Sequence, residues 1–502
     1  MKDLENRSVS THTLTLSSWV RENYKLLLSV FLIGLFSYGF AVFNYNFGID
    51  EDTAFWEGPR IFLTGHATIN RWAMFVYYYV LLPGVFYPFI GNILAIFFIS
   101  LSYCLFISNH SSLSFFQRLL FCGIAISLPT FGTMFEFSFM VAQVSCSITL
   151  IVFAYLFTIN GNTLLEKWIV PLMLCTFATF TYQSLLYIII GLFIIDCLLG
   201  KFNITEKSSY RIFCRIIFIC ILSITCYVGG SILLHLITGI PQSAYGLSTA
   251  LFLHKSIVNS FISVYRFMID KFHSTLLLSF LFLPIPIGVI IFFGRPHSRY
   301  LLSLSLVIGY FFFPFFGLGL VLPIRSWFFA PFIFAAVFLL AYLKAQHKVK
   351  ILFLIFSIWI ICFNSSINAR SALLDSFSGK RDQLIASRIY NELYDVDEKY
   401  LKDAKLSLII GTIKLNRILP ALSDGEREIY GASFFSWCGE HWRIYRYLGI
   451  LGVQLPPSLN LTSKEAKIKS LAIVKDMPAY PARGFIKVVD DVLIIKLSNQ
   501  NK

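Results

Sequence analysis

Asp50, Glu51 and Asp52 stand together in the run Gly48-Ile49-Asp50-Glu51-Asp52-Thr53, with Glu57 just beyond. Carboxyls crowded in this way suit one of two chemical roles. They bind a divalent cation through oxygen ligands, or one serves as a general base while its neighbours tune its pKa. The plain alternative is a solvated cap on a helix end. Asn70-Arg71-Trp72 closes the same stretch and weakens that alternative. The Arg fork matches phosphate geometry, and the indole can stack on the apolar face of a sugar.

Three further clusters carry chemistry. Arg325, in Leu322-Pro323-Ile324-Arg325-Ser326-Trp327, reads either as an interfacial cation snorkelling to headgroups or as a clamp on a phosphate. In Phe435-Ser436-Trp437-Cys438-Gly439-Glu440-His441-Trp442-Arg443, the residues Trp437, Glu440, His441 and Trp442 resemble a sugar-contacting loop, the alternative being a packed turn. Glu136 falls in a short turn between apolar segments and either orients a substrate or caps a helix. No CxxC or Cys/His zinc spacing occurs, and Cys438 with His441 lacks further ligands, so no metal site is assigned.

The elements that must position these residues are membrane helices. The chain has 502 residues, of which 57% are hydrophobic and only 14% charged, against about a quarter charged in soluble domains. The first apolar helix, Lys25 to Asn44, is uncleaved by its pattern and long enough to cross a bilayer. Apolar stretches predict eleven spans, near 25–44, 91–108, 119–135, 138–158, 168–181, 184–199, 212–238, 274–293, 300–320, 324–343 and 351–364. The stretch 73–89 contains Tyr77-Tyr78-Tyr79, Pro83, Gly84 and Pro88 and is short for a crossing.

Loop charge decides that case. Alternate connections from the N-terminus onward carry fifteen Lys and Arg, and the other set carries six (Arg60, Arg71, Lys255, Arg266, Lys271 and Arg325). The bias puts the richer set in the cytoplasm, provided that 73–89 does not cross. That segment is therefore expected to be interfacial or re-entrant. Residues 1–24 are expected in the cytoplasm, and the loop 45–72 and the tail 365–502 on the opposite side. The net charge of +14 has no basic run or reading motif beside it, which argues against nucleic acid as a partner. In the tail, Ser371 to Tyr394 reads as an amphipathic helix and Leu406–Ile410 as a buried strand. Residues 485–489 and 492–497 read as strands around the turn Asp490-Asp491. The fold class is thus a polytopic α-helical membrane protein with a transmembrane region 25–364 and a small α/β domain at 365–502.

An outer loop that opens on an acidic triplet and closes on Arg71-Trp72 resembles the Gtr-type, serotype-converting O-antigen glucosyltransferases, which are GT-C-like membrane enzymes. Tyr182-Gln183 is similar to a Tyr-Gln step of that family. Met477-Pro478-Ala479-Tyr480-Pro481, followed by Gly484-Phe485-Ile486-Lys487, is similar to its closing pattern. Where the family has Gly before Arg-Trp, this chain has Asn70. The resemblance implies transfer of glucose from undecaprenyl-phosphate-glucose to a lipid-linked O-antigen sugar at the periplasmic side of a bacterial inner membrane, with inversion. On that reading Asp50, Glu51 or Asp52 serves in catalysis, and Arg71, Trp72, Tyr182, Gln183 and Arg325 lie around the donor phosphate and sugar. Functional links to a polyprenyl-phosphate glucosyltransferase and a flippase follow from the same source. Need for a divalent cation is left open. The other readings are an O-antigen polymerase, an aminosugar transferase acting on lipid A, a lipid-linked sugar flippase or transporter, and an assembly protein that binds glycan without catalysis. A flippase of the transporter type would show inverted repeats and midplane charges, and neither is found.

Overall fold

The computed structural model describes residues 16–48, 50–56, 58–81, 88–203, 206–243, 256–272, 274–293, 298–318, 320–395, 404–413, 433–436, 441–459 and 471–499. It is a polytopic helical architecture. Six of its helices are long and apolar enough to cross a membrane, or seven if the bent pair Phe115–Ser127 and Pro129–Glu136 is one span. Gln183–Leu198, Leu304–Gly317 and Ala330–Lys344 are shorter apolar helices. Helical segments overlap all eleven expected spans, but length and composition qualify six or seven of them as crossings.

Helix α1 (Leu16–Phe43) packs on α5 (Pro88–Ser108) and α6 (Phe115–Ser127), and α5 packs on α8 (Val141–Asn160). The acidic loop is itself helical, forming α2 (Glu51–Trp56) and α3 (Gly58–Thr68). The stretch placed at 73–89 contributes α4 (Ala73–Leu81), and Pro88 and Phe89 instead open α5. At about 1.5 Å per residue, the nine residues of α4 are far too short to cross. Pro129 at the first turn of α7 (Pro129–Gly132) breaks the span after Ser127, because its ring cannot continue a helix already under way. The chain then passes through a 3₁₀ turn, Thr133–Glu136, into the segment 137–140.

Loops that the charge pattern puts on one side gather at one end of the bundle. His110, Asp196 and Lys201 meet there: Asp196 accepts from Tyr155 Oη at 2.6 Å, lies 2.8 Å from His110 Nε2 and pairs with Lys201 at 3.8 Å. Residues 45–56, 69–72, 136–140, 182–183 and 325–327 meet through the contacts described below at the other end.

His347–Asp395 is a single unbroken helix of 49 residues, here α9, which runs through the expected start of the tail at residue 365 and joins the two expected elements 351–364 and 371–394. No proline interrupts it, and its serines Ser357, Ser365 and Ser366 bond carbonyls four residues back, which a helix tolerates. At about 74 Å, this rod exceeds the roughly 30 Å of a hydrocarbon core. Its far end reaches the three-stranded sheet β1 (Leu406–Ile410), β2 (Ile486–Val489) and β3 (Val492–Lys496), ordered β1-β3-β2. β3 pairs parallel with β1 and antiparallel with β2 across the turn at Asp490, whose φ is +56°. As the central strand, β3 is buried on both faces, which accounts for its continuous apolar run. One face packs on Ile385, Ile389 and Leu393 of α9, the other on Val474 and Met477.

Candidate active site

The site is built around the exit of α1. Gly48 turns the chain so tightly that a Cβ there would sit 2.6 Å from the Glu136 carbonyl oxygen. Asp50 takes a left-handed φ of +47°, a conformation that Asp tolerates better than most residues. The three acids then part company. Glu51 is buried, and its carboxyl accepts from Tyr45 Oη at 2.6 Å, from the Gly48 amide at 2.8 Å and from the Ser138 hydroxyl. It is a keystone joining loop and bundle. Asp52 is also buried and faces the C-terminal region: Arg443 Nη1 lies 3.3 Å and Arg446 Nη1 3.8 Å from its oxygens. Asp50 alone stays open, its side chain 47% exposed, with Arg443 Nη2 at 3.0 Å. Arg446 also donates to Thr53 at 3.2 Å. The ring of Trp442 lies within 4.5 Å of the Arg443 guanidinium and 4.4 Å of the Arg446 guanidinium, so these cations are stacked as well as paired.

Burial pushes the Glu51 carboxyl up to about 7, against its three hydrogen bonds. Burial likewise pushes Asp52 up to about 6, with the two guanidiniums limiting the rise. A folded-state value above the unfolded one means that the native state binds extra protons between the two values, so stability falls as pH rises through that window. For Glu51 the window runs from 4.5 to about 7 and is worth roughly 3 kcal/mol. Thermal unfolding of the full chain in detergent is expected to weaken steadily from pH 5 to pH 7. Glu51→Gln should flatten the upper part of that slope, and an unchanged slope in the variant would refute the assignment.

The expected phosphate-binding residues also gather. Asn70 adopts φ +63°, the left-handed geometry glycine favours, so the Asn in place of Gly keeps the turn. Its side-chain oxygen meets His235 Nε2 at 2.7 Å. Arg71 stacks its guanidinium 4.2 Å from the Tyr182 ring centroid, and Tyr182 Oη lies 3.0 Å from Ser326 Oγ, beside Arg325. Arg325 lies over the Phe137 ring at 5.0 Å. Trp72 stacks on Phe75 and meets His235 edge-on. Among the described residues, Arg71 Nε and Trp72 Nε1 are shielded donors that find no acceptor. Gln183 instead braces the loop, its amide donating to the Ile69 carbonyl at 3.1 Å and to Tyr227 Oη at 2.8 Å.

The segment 136–140 joins the two groups. Ser138 reaches Glu51, Phe137 lies under Arg325, and Met140 Sδ accepts from Arg71 Nη1 at 4.0 Å. Beside it opens a cavity of about 150 Å³ whose wall includes Asp50, Glu136, Arg325 and Asp375. Glu51, Asp52, His441 and Trp442 do not line it. Trp437 and Glu440 lie outside the described residues, as do Glu57 and Cys438. Asn92 and Asn368 do line the cavity, and the motifs of the sequence do not mark them. Their signal in the sequence was only that each is a polar side chain in or next to an apolar stretch, where polar groups are costly. Among the described residues, no three His, Cys, Asp or Glu side chains converge as metal ligands. Comparisons with protein-family models, curated proteins and solved structures returned no match to this chain.

Proposed function

We propose that the chain is a multi-pass bacterial inner-membrane glycosyltransferase that moves glucose from undecaprenyl-phosphate-glucose to a sugar of a lipid-linked O-antigen, with eleven crossings, a cytoplasmic N-terminus and a periplasmic C-terminal domain. One observation carries this reading: shielded, unpartnered donors at Arg71 and Trp72 lie at one end of the segment 136–140, and a carboxylate-lined cavity opens at the other. The first suits an acceptor-rich anion such as a phosphate, and the second suits a sugar hydroxyl that must lose a proton.

In the reaction, the acceptor oxygen attacks the anomeric carbon of the glucosyl donor. The bond from that carbon to the phosphate oxygen breaks, and its electron pair leaves on undecaprenyl phosphate. The acceptor's proton passes to Asp50, the one acid of the triplet that reaches the cavity. Attack from the face opposite the leaving group inverts the centre. Arg71 and Arg325 supply charge where the phosphate develops it. Glu51 and Asp52 hold the loop and the C-terminal region in place.

Expression in a bacterium with a defined O-antigen and a supply of polyprenyl-phosphate-glucose tests the reading. Mass spectrometry should show one added hexose per repeat; no gain overturns the transferase and favours a flippase. Arg325→Lys keeps the charge but loses the planar fork. Charged hydrogen bonds are worth about 1.5–3 kcal/mol, so donor kcat/KM should fall about tenfold or more. A loss under twofold would remove Arg325 from the donor site.

A further inference from the structure

We infer that the cavity beside Glu136 is an acceptor subsite that holds a single monosaccharide ring, whose hydroxyls donate to Asn92, Glu136 and Asn368. The identity of the sugar as a transfer acceptor rests on the proposed function. The class of ligand, a neutral polyol, rests on the cavity itself.

Hydrogen bonding defines the demand. Asn92 Oδ1, Glu136 Oε1 and Asn368 Oδ1 are shielded from bulk solvent, and none accepts a hydrogen bond among the described residues. Asn92 and Asn368 are only 1% and 5% exposed. Leaving a buried acceptor unmade is costly, and here three such acceptors belong to the lining of one cavity. Whatever satisfies them must bring donors. Asn368 is held for this purpose: its amide donates to the Ser127 carbonyl at 2.9 Å, which fixes the side chain and leaves Oδ1 free. Gly132 makes the room, because a Cβ there would lie 2.3 Å from Asn368 Oδ1.

Hydrogen-bonding character selects among ligands. The three orphaned atoms are acceptors, so a phosphate, which brings mainly acceptors, leaves them unmet, and Arg325 also stands in the wall. The guanidinium disfavours a metal cation, and no set of three ligands converges among the described residues. A neutral ligand rich in hydroxyls meets neither objection. Size agrees. A cavity of about 150 Å³ is roughly ten times what one water needs and falls below the roughly 300 Å³ of the smallest drug-sized pockets. One ring fits, and a lipid chain does not. Tyr38 and Phe135, stacked at 4.6 Å between centroids, add an aromatic wall for the C–H face of a pyranose.

The same demand assigns this ring to the acceptor. The donor's glucose carries a phosphate on its anomeric oxygen, which would set more acceptors beside acceptors that need donors. The acceptor ring carries no phosphate here, and it needs Asp50 near its hydroxyl.

Full-length chain in nanodiscs tests this with two probes: O-antigen oligosaccharide released from lipopolysaccharide by mild acid, and undecaprenyl-phosphate-glucose. Asn368→Leu is expected to raise the oligosaccharide Kd and the acceptor KM at least tenfold, with the donor KM within threefold of wild type. Glu136→Gln breaks no side-chain hydrogen bond among the described residues and keeps a carbonyl acceptor. It should raise the acceptor KM at least threefold, and it carries the test if Asn368→Leu fails to fold. Oligosaccharide binding lost in the variants, with no hexose moved by the wild-type chain, keeps the subsite and ends the transferase reading. Hexose transfer with an acceptor KM that neither variant moves overturns the subsite alone. Wild-type chain that binds no oligosaccharide overturns it too.

Discussion

Replacing Asp50 by Asn is expected to abolish hexose transfer while leaving the protein folded. The carboxylate is the only member of the acidic triplet that lines the cavity. A positioned general base contributes about 10²–10⁴-fold, or roughly 3–5 kcal/mol of barrier. Folding should hardly notice. The Asp50–Arg443 pair is half exposed on its acid side, and exposed pairs contribute about 0–1 kcal/mol. Arg443 retains Asp52. Glu51→Gln is the matched control. Gln presents the same shape, accepts from Tyr45 and the Gly48 amide through its oxygen, and turns its NH₂ to the Ser138 hydroxyl. Its transfer rate should stay within about tenfold of wild type. Steady-state transfer from undecaprenyl-phosphate-glucose, read by mass spectrometry of the polysaccharide, separates the two. Full activity in Asp50→Asn with loss in Glu51→Gln would move the base to a residue that cannot reach the cavity, and would sink the mechanism.

The contrast between these two acids shows what a sequence can and cannot reveal. Charge density alone marks Asp50, Glu51 and Asp52 as special. It does not show which of them faces a substrate, because that depends on Gly48 pressing against Glu136 and on Ser138 standing where Glu51 can reach it. Six or seven of the expected spans were legible because each is a long apolar run, and β3 was legible because burial on both faces demands an unbroken one. The residue pattern splits the rod from His347 to Asp395 into two elements. Its composition changes near residue 365 from mostly apolar to mixed with charged residues, yet nothing in the backbone stops there. The loop 45–72 hid α2 and α3 because both are short and mixed in polarity, and α2 is held by tertiary partners rather than by propensity. Asn92 and Asn368 became meaningful only once α5 and α9 brought them to one cavity.

Arg443→Ala should be the most damaging single change to the architecture of the site. Asp52 is fully buried, and its partner lies 391 residues further along the chain. Removing one member of a buried pair leaves an uncompensated charge, at a cost of about 3–5 kcal/mol. Arg446, at 3.8 Å, recovers only part of that. The loss falls on the contact between α2 and the C-terminal helix His441–Ile450, so α2 should become open to protease before the bundle unfolds. Transfer should fall with it, although no residue that lines the cavity has changed. Arg443→Gln combined with Asp52→Asn is expected to restore much of the stability, since two neutral partners can hydrogen-bond where two charges paired. A double-mutant cycle on thermal unfolding isolates the pair, and a coupling above about 1 kcal/mol is expected. If Arg443→Ala instead leaves protection of α2 and transfer at wild-type levels, the C-terminal region has no part in shaping the acidic loop. The catalytic assignment of Asp50 would then have to stand on the membrane helices alone.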